Sequence, residues 1–178
     1  MGDLVGEEVA PGYAVWVRLP HPSALVCART RADQALAFAR TVPVDLRRIF
    51  TGWGPLPAVR ATLEQTGDWD AAGQTRTVQL SDGSEAQEQL TVYAAPLSFA
   101  YTVTPRTGPL SLLVTQARGV WYFLPAPGGA TEIWWRYEFH PRAAWTWPVL
   151  LLVAVCWERY MTRALTLLVQ LLEQGERH

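Results

Sequence analysis

The stretch Ala143-Ala-Trp-Thr-Trp-Pro-Val-Leu-Leu-Leu-Val-Ala-Val-Cys-Trp157-Glu-Arg-Tyr-Met-Thr-Arg-Ala-Leu-Thr-Leu-Leu-Val-Gln-Leu-Leu-Glu-Gln174 reads as one long helix, and the fold follows from what such a helix needs. From Glu158 onward Arg159, Arg163, Thr166, Gln170 and Glu173 recur three or four apart, so they share one side of a 3.6-residue helix. The other side, Trp157, Met161, Ala164 and Leu168, is apolar and must be buried. Ahead of Glu158 the run Pro148 to Trp157 has no polar side, which predicts cover from more than one direction. A helix of about thirty residues spans roughly 45 Å, more than one small helix could cover.

The seventy or so residues before it supply the cover, because they read as strands separated by turn signals. Strands are predicted over 58–66, 74–80, 85–93, 99–104, 112–124 and 131–139. Asp82-Gly83 is the signature of a tight hairpin between the second and third of these. The last alternates cleanly: Ile133, Trp135, Tyr137 and Phe139 point one way, and Glu132, Trp134, Arg136 and Glu138 the other. Gly119, Trp121 and Phe123 offer a matching face one strand earlier. Upstream, 36–42 reads as an apolar, strand-like run and Pro43 to Phe50 as a short helix ended by Gly52, Gly54, Pro55 and Pro57. Strands followed by a helix argue for an α+β architecture. Residues 1–33 read as an N-terminal extension packed on a domain that covers 34–178.

Composition narrows the functional classes. A net charge of −1 with 17% charged residues gives no basic stripe for nucleic acid. All fifteen basic residues are Arg, there is neither Lys nor Asn, and Ile occurs twice, a pattern expected of a GC-rich bacterial genome. Cys27 and Cys156 are read as reduced core thiols of a cytoplasmic protein. Met1-Gly-Asp-Leu-Val-Gly-Glu-Glu lacks the basic-then-apolar order of a signal peptide. The apolar run before Glu158 is about fifteen residues, short of the roughly twenty that span a bilayer, so no stable membrane insertion is expected.

The spaced residues Gly73, Arg76, Val78, Leu80, Asp82-Gly83, Glu88, Leu90, Tyr101, Gly119-x-Trp121-x-Phe123 and Thr131-x-Ile133-x-Trp135-x-Tyr137-x-Phe139 resemble the START-like (SRPBCC) helix-grip superfamily. Its members include polyketide cyclases, lipid-transfer proteins and plant pollen allergens. The resemblance covers roughly residues 34–174. It implies a curved antiparallel sheet of about six to seven strands wrapped around a long C-terminal helix, with a cavity between them.

Strand parity picks the inward polar residues. Arg76 lies with Val78 and Leu80, Glu88 lies with Leu90, and the two can meet across the hairpin. Their pairing reads either as a buried ion pair, since an unpaired buried charge is costly, or as the group that orients a ligand's polar end. Tyr101 and Tyr137 are core aromatics or donors into the cavity. Trp121, Trp135 and Trp157 converge as solid core or as a stacking wall, with Met161 on the same helix face as Trp157. Trp53, Trp69 and Trp134 fall in loops or on the outer face and are expected to seal the cavity mouth or meet another subunit. Glu64, Asp82 and Glu88 are the acids to watch for proton transfer, Asp82 being better explained by its turn.

Known catalytic patterns are missing. His21 and His140 each precede a proline, His178 is the last residue, and none reads as a metal ligand beside a cysteine or carboxylate; no metal or other cofactor is expected. There is no Gly-x-Ser-x-Gly, no Walker loop and no dinucleotide fingerprint. Three readings remain. The first is a protein that binds a hydrophobic small molecule or lipid without covalent chemistry. The second is a cyclase- or aromatase-like enzyme using inward Arg76, Glu88 or a Tyr. The third is a structural protein with a filled cavity that forms a homodimer through exposed tryptophans.

Overall fold

Local signals start each element in the computed structural model, which describes residues 21–174. Strand β1 (Ser23–Thr30) leads to helix α1 (Gln34–Thr41), whose N-cap Asp33 accepts a hydrogen bond from the Leu36 amide at 2.9 Å. Asp45 caps a single 3-10 turn, Leu46–Arg48, in the same way. Five strands follow up to the helix insertion and beyond it: β2 (Val59–Leu63), β3 (Thr75–Leu80), β4 (Glu85–Ala94), β5 (Ser98–Pro105) and β6 (Val114–Ala126). A short helix α2 (Pro109–Leu113) precedes β6, and β7 (Ala130–Pro141) leads through the 3-10 turn Ala144–Thr146 into α3 (Trp147–Gln174).

All strand pairs are antiparallel, in the order β1-β7-β6-β5-β4-β3-β2. This open seven-stranded sheet with its long C-terminal helix is the helix-grip architecture the sequence led us to expect. Met161, Ala164, Leu165 and Leu168 of α3 are buried at 1% exposure or less, while Arg159, Arg163, Thr166 and Gln170 face outward. The inward faces of the strands, Phe99, Trp121, Phe123, Ile133, Trp135, Tyr137 and Phe139 among them, form the wall opposite.

The structure departs from the sequence reading in several places; the helix read over 43–50, for one, is only the 3-10 turn Leu46–Arg48. Residues 36–42 are helical, not a strand: the Asp33 cap and the Ala-rich run favour a helix that buries Ala37 and Phe38 against β6 and β7. Within the stretch read as an extension, Ser23–Thr30 is the edge strand beside β7, so the sheet begins at Ser23; residues 1–20 lie outside the described residues. Cys27 is exposed on the outer face of β1, and Cys156 is half-buried; both thiols are free, and neither is a core thiol. The front of α3 is covered from one side only: Leu150 and Ala154 are buried, but Val149, Leu151, Leu152 and Val155 are exposed beside Trp145. The sheet reaches one face of this half, and no described element packs on the other.

Among the described residues no helix is long and apolar enough to cross a membrane.

Candidate functional site

Hairpin chemistry sets the site's register. Asp82 Oδ1 accepts hydrogen bonds from the Ser84 amide at 2.9 Å and the Ser84 hydroxyl at 2.6 Å, tightening the β3–β4 turn. These bonds hold the Asp82 carboxyl below the usual carboxylate range. With the turn fixed, Arg76 stands directly opposite Glu88. Nε and Nη2 of Arg76 both lie 2.7 Å from Glu88 Oε2, and both side chains are buried. The guanidinium also sits 4.0 Å over the ring of Trp69. Trp69 is therefore not at the cavity mouth or an outer contact, as the sequence suggested, but buried at 1% exposure in a left-handed backbone conformation (φ 62°). Trp53 and Trp134 are half-buried.

Two cross-strand rows make the inner wall. In one, Phe99, Trp121 and Trp135 lie opposite one another, with Phe99 and Trp121 stacked at 5.6 Å and Trp121 and Trp135 at 4.4 Å. In the other, Tyr101, Gly119 and Tyr137 are register partners. Gly119 is required there because a methyl group on it would collide with the Tyr101 ring. The missing side chain lets that ring lie flat across β6.

Between this wall, α3, α2 and the turn 55–57 the side chains leave an apolar cavity of about 250 Å³. Leu56, Pro57, Leu110, Leu113, Val153 and Trp157 line its outer part, and Glu88, Tyr101 and Tyr137 stand at its inner part. Burial, reinforced by the Glu88 charge, pushes the Tyr101 phenol well above its ordinary pKa; burial does the same at Tyr137, with Tyr101 and Glu88 adding to it. Both therefore stand at the cavity as neutral hydroxyls. Tyr160 ties the outer turn to α3: its hydroxyl accepts from the Gly52 amide and donates to the Pro57 carbonyl, each at 2.9 Å.

Of the residues named from sequence, Glu88, Tyr101, Tyr137 and Trp157 line this cavity. Arg76 and Trp121 do not; they border a smaller space of about 30 Å³ beside it, together with Glu88 and Tyr101. Trp135 and Met161 are fully buried packing residues that border neither space. Sequence reasoning missed the wall formed by Leu56, Pro57, Leu110 and Leu113: it read 55–57 as a connector and began a strand at Leu112, where the structure has the end of α2. Pro109-Leu-Ser-Leu-Leu113 carried the signal: Pro at the first helical position followed by an apolar run. The expectation that no histidine stands with a carboxylate is also corrected, because β1 and β7 bring His21 and His140 to Glu138.

Residues 29–173 match the family described as polyketide cyclase / dehydrase and lipid transport. Norcoclaurine synthase from Thalictrum flavum superimposes with a TM-score of 0.61 at 15% identity, with 100% of each chain covered. Ara h 8.0201 does so with a TM-score of 0.62 at 15% identity, over 85% of this chain and 97% of its own. A protein from Mesorhizobium loti gives 0.62 at 14% identity over 85% and 97%. At these identities the likeness is one of fold. No curated protein matches the chain in sequence.

Proposed function

Because the chain belongs to the polyketide cyclase / dehydrase and lipid transport family, we propose that it binds a hydrophobic small molecule or lipid in the space between its sheet and α3. The observation that carries this reading is the cavity of about 250 Å³ lined mainly by apolar side chains, with Glu88, Tyr101 and Tyr137 among its few polar groups. An apolar body would fill the part walled by Leu56, Leu110, Leu113 and Val153, and a polar group would meet Glu88, Tyr101 and Tyr137. Arg76 keeps the Glu88 carboxylate compensated, so the site accepts a neutral hydroxyl or carbonyl more readily than a second charge. Two unbridged thiols fit a reducing, cytoplasmic setting.

Native mass spectrometry of protein purified from its host tests this directly: a co-purifying apolar mass is expected, released on unfolding. Binding of 1-anilinonaphthalene-8-sulfonate gives a second readout. Replacing Ala86 in the cavity wall by Trp should weaken that binding at least tenfold, whereas Leu152→Ser on the exposed face of α3 should leave it unchanged. The reverse pattern would place the dye on the helix surface and overturn the reading.

A second reading, a cyclase- or aromatase-like enzyme, is favoured by one observation: Glu88 borders the cavity beside two neutral phenols. There Glu88 would move a proton while a tyrosine hydroxyl polarised a carbonyl. Glu88→Gln separates the readings, since it would abolish turnover and leave the binding of a neutral lipid largely intact.

A further inference from the structure

We propose that His21, Glu138 and His140 form a binding site for a first-row divalent transition ion, zinc foremost, on the outer face of the sheet. One donor atom from each residue lies within 4.8 Å of the other two. His21 Nδ1 is 3.0 Å from Glu138 Oε1, and His140 Nε2 is 3.5 Å from the same oxygen. These values bracket the edge of about 3.3 Å that a tetrahedron with zinc–ligand bonds near 2.0 Å requires. An ion placed among them needs the 3.0 Å contact to open and the 3.5 Å contact to close by a few tenths of an ångström.

The donor chemistry fits. Two imidazoles and one carboxylate, with one position left for water or an exogenous ligand, are a borderline-soft set that suits zinc and its neighbours rather than calcium or magnesium. His140 supplies the observation that a plain hydrogen-bonded cluster leaves over: its Nε2 is buried and has no hydrogen-bond partner, although it faces the Glu138 carboxylate. The two imidazole rings approach to 4.1 Å between centroids at 44°, so they lie side by side over the same part of β7.

The supporting contacts are in place as well. Glu138 Oε2 accepts a hydrogen bond from Arg136 Nη2 at 3.2 Å, which leaves Oε1 for the ion. The Phe139 amide donates to the Pro22 carbonyl at 2.9 Å and pins the backbone beside His21 against β7. Parity separates this site from the cavity: Tyr137 and Phe139 point inward while Glu138 and His140 point outward on the same strand. Arg118, the register partner of Glu138, and Arg136 add positive charge that weakens the site. The ion would clamp the chain entering β1 onto β7, across 117 residues of sequence.

Calorimetric titration of the untagged full chain with zinc chloride tests the proposal, with cobalt(II) absorption as a check on geometry. One zinc per chain is expected, with the visible bands of a tetrahedral cobalt site. His21→Ala, Glu138→Gln and His140→Ala should each weaken zinc binding at least tenfold, while His178→Ala, Cys27→Ser and Cys156→Ser should not. Zinc should also raise the melting temperature of the parent chain and of each variant that still folds and binds, but not that of the triple variant. Failure of the folded parent to take up zinc, or uptake that survives all three replacements, overturns the site.

Discussion

A carboxylate and a guanidinium held 2.7 Å apart below the surface constrain each other more than they stabilise the fold. Glu88→Ala strands the Arg76 charge against Trp69, and a loss of about 3–5 kcal/mol is expected in urea unfolding. Replacing both residues by apolar ones, Arg76→Met with Glu88→Leu, should restore most of that loss, because no charge is then left buried. The phenols of Tyr101 and Tyr137 set a limit at high pH. Burial raises their folded pKa values, so the unfolded chain gives up these protons first. Their contribution is intact below the ordinary tyrosine value near 10 and declines as pH rises beyond it. Urea midpoints measured from neutral to strongly alkaline pH should stay level and then fall; a midpoint that rose through this range would contradict the burial. Parity along β3 and β4 was enough to bring Arg76 and Glu88 together on paper. It could not tell that Arg76 would lie behind the cavity wall while Glu88 borders it, because that depends on where the Trp69 ring packs.

At the scale of elements, α3 has two unlike halves. Met161, Ala164, Leu165 and Leu168 lock the rear half, whereas the front half buries Leu150 and Ala154 and leaves Val149, Leu152 and Val155 in solvent. Amides of 150–156 should therefore exchange with deuterium faster than those of 161–168, measured by mass spectrometry under native conditions. Tyr160 sits at the junction. Tyr160→Phe removes both bonds to the 52–57 turn; a destabilisation of about 1–2 kcal/mol is expected, together with faster exchange at the Gly52 amide. Elements with strong local signals were legible: the Asp82-Gly83 hairpin, the alternation of β7 and the polar stripe of α3. Helix α1 was misread because an eight-residue apolar stretch carries no decisive period, and only the Asp33 cap argued for a helix. Strand β1 was missed since its inward residues, Ala24, Val26 and Ala28, are small and its partner is far away in sequence. That same separation hid the meeting of His21 with Glu138 and His140.

For the molecule as a whole, the cavity predicts a linked stability. Any apolar ligand that enters it binds the folded chain alone and should raise the melting temperature in proportion to the logarithm of its concentration, an increase that Ala86→Trp abolishes. The helix-grip architecture was readable because each level agreed: the long helix needed a broad cover, and the strands offered one with a bulky aromatic face. Cavity shape was not readable, since it depends on how the 55–57 turn and α2 close over the space.

The order of strands has a consequence for how such a chain is made. Among the described residues the first strand, β1, pairs with the last, β7, Ser23 standing opposite Glu138. During synthesis β1 leaves the ribosome before β7 exists and must wait until more than a hundred further residues have been added, which makes closure of the sheet a late, long-range event. Until then an unpaired edge carrying Leu25 and a bare thiol is open to other nascent chains, so the yield of native protein should depend on chaperone capacity more than on its final stability.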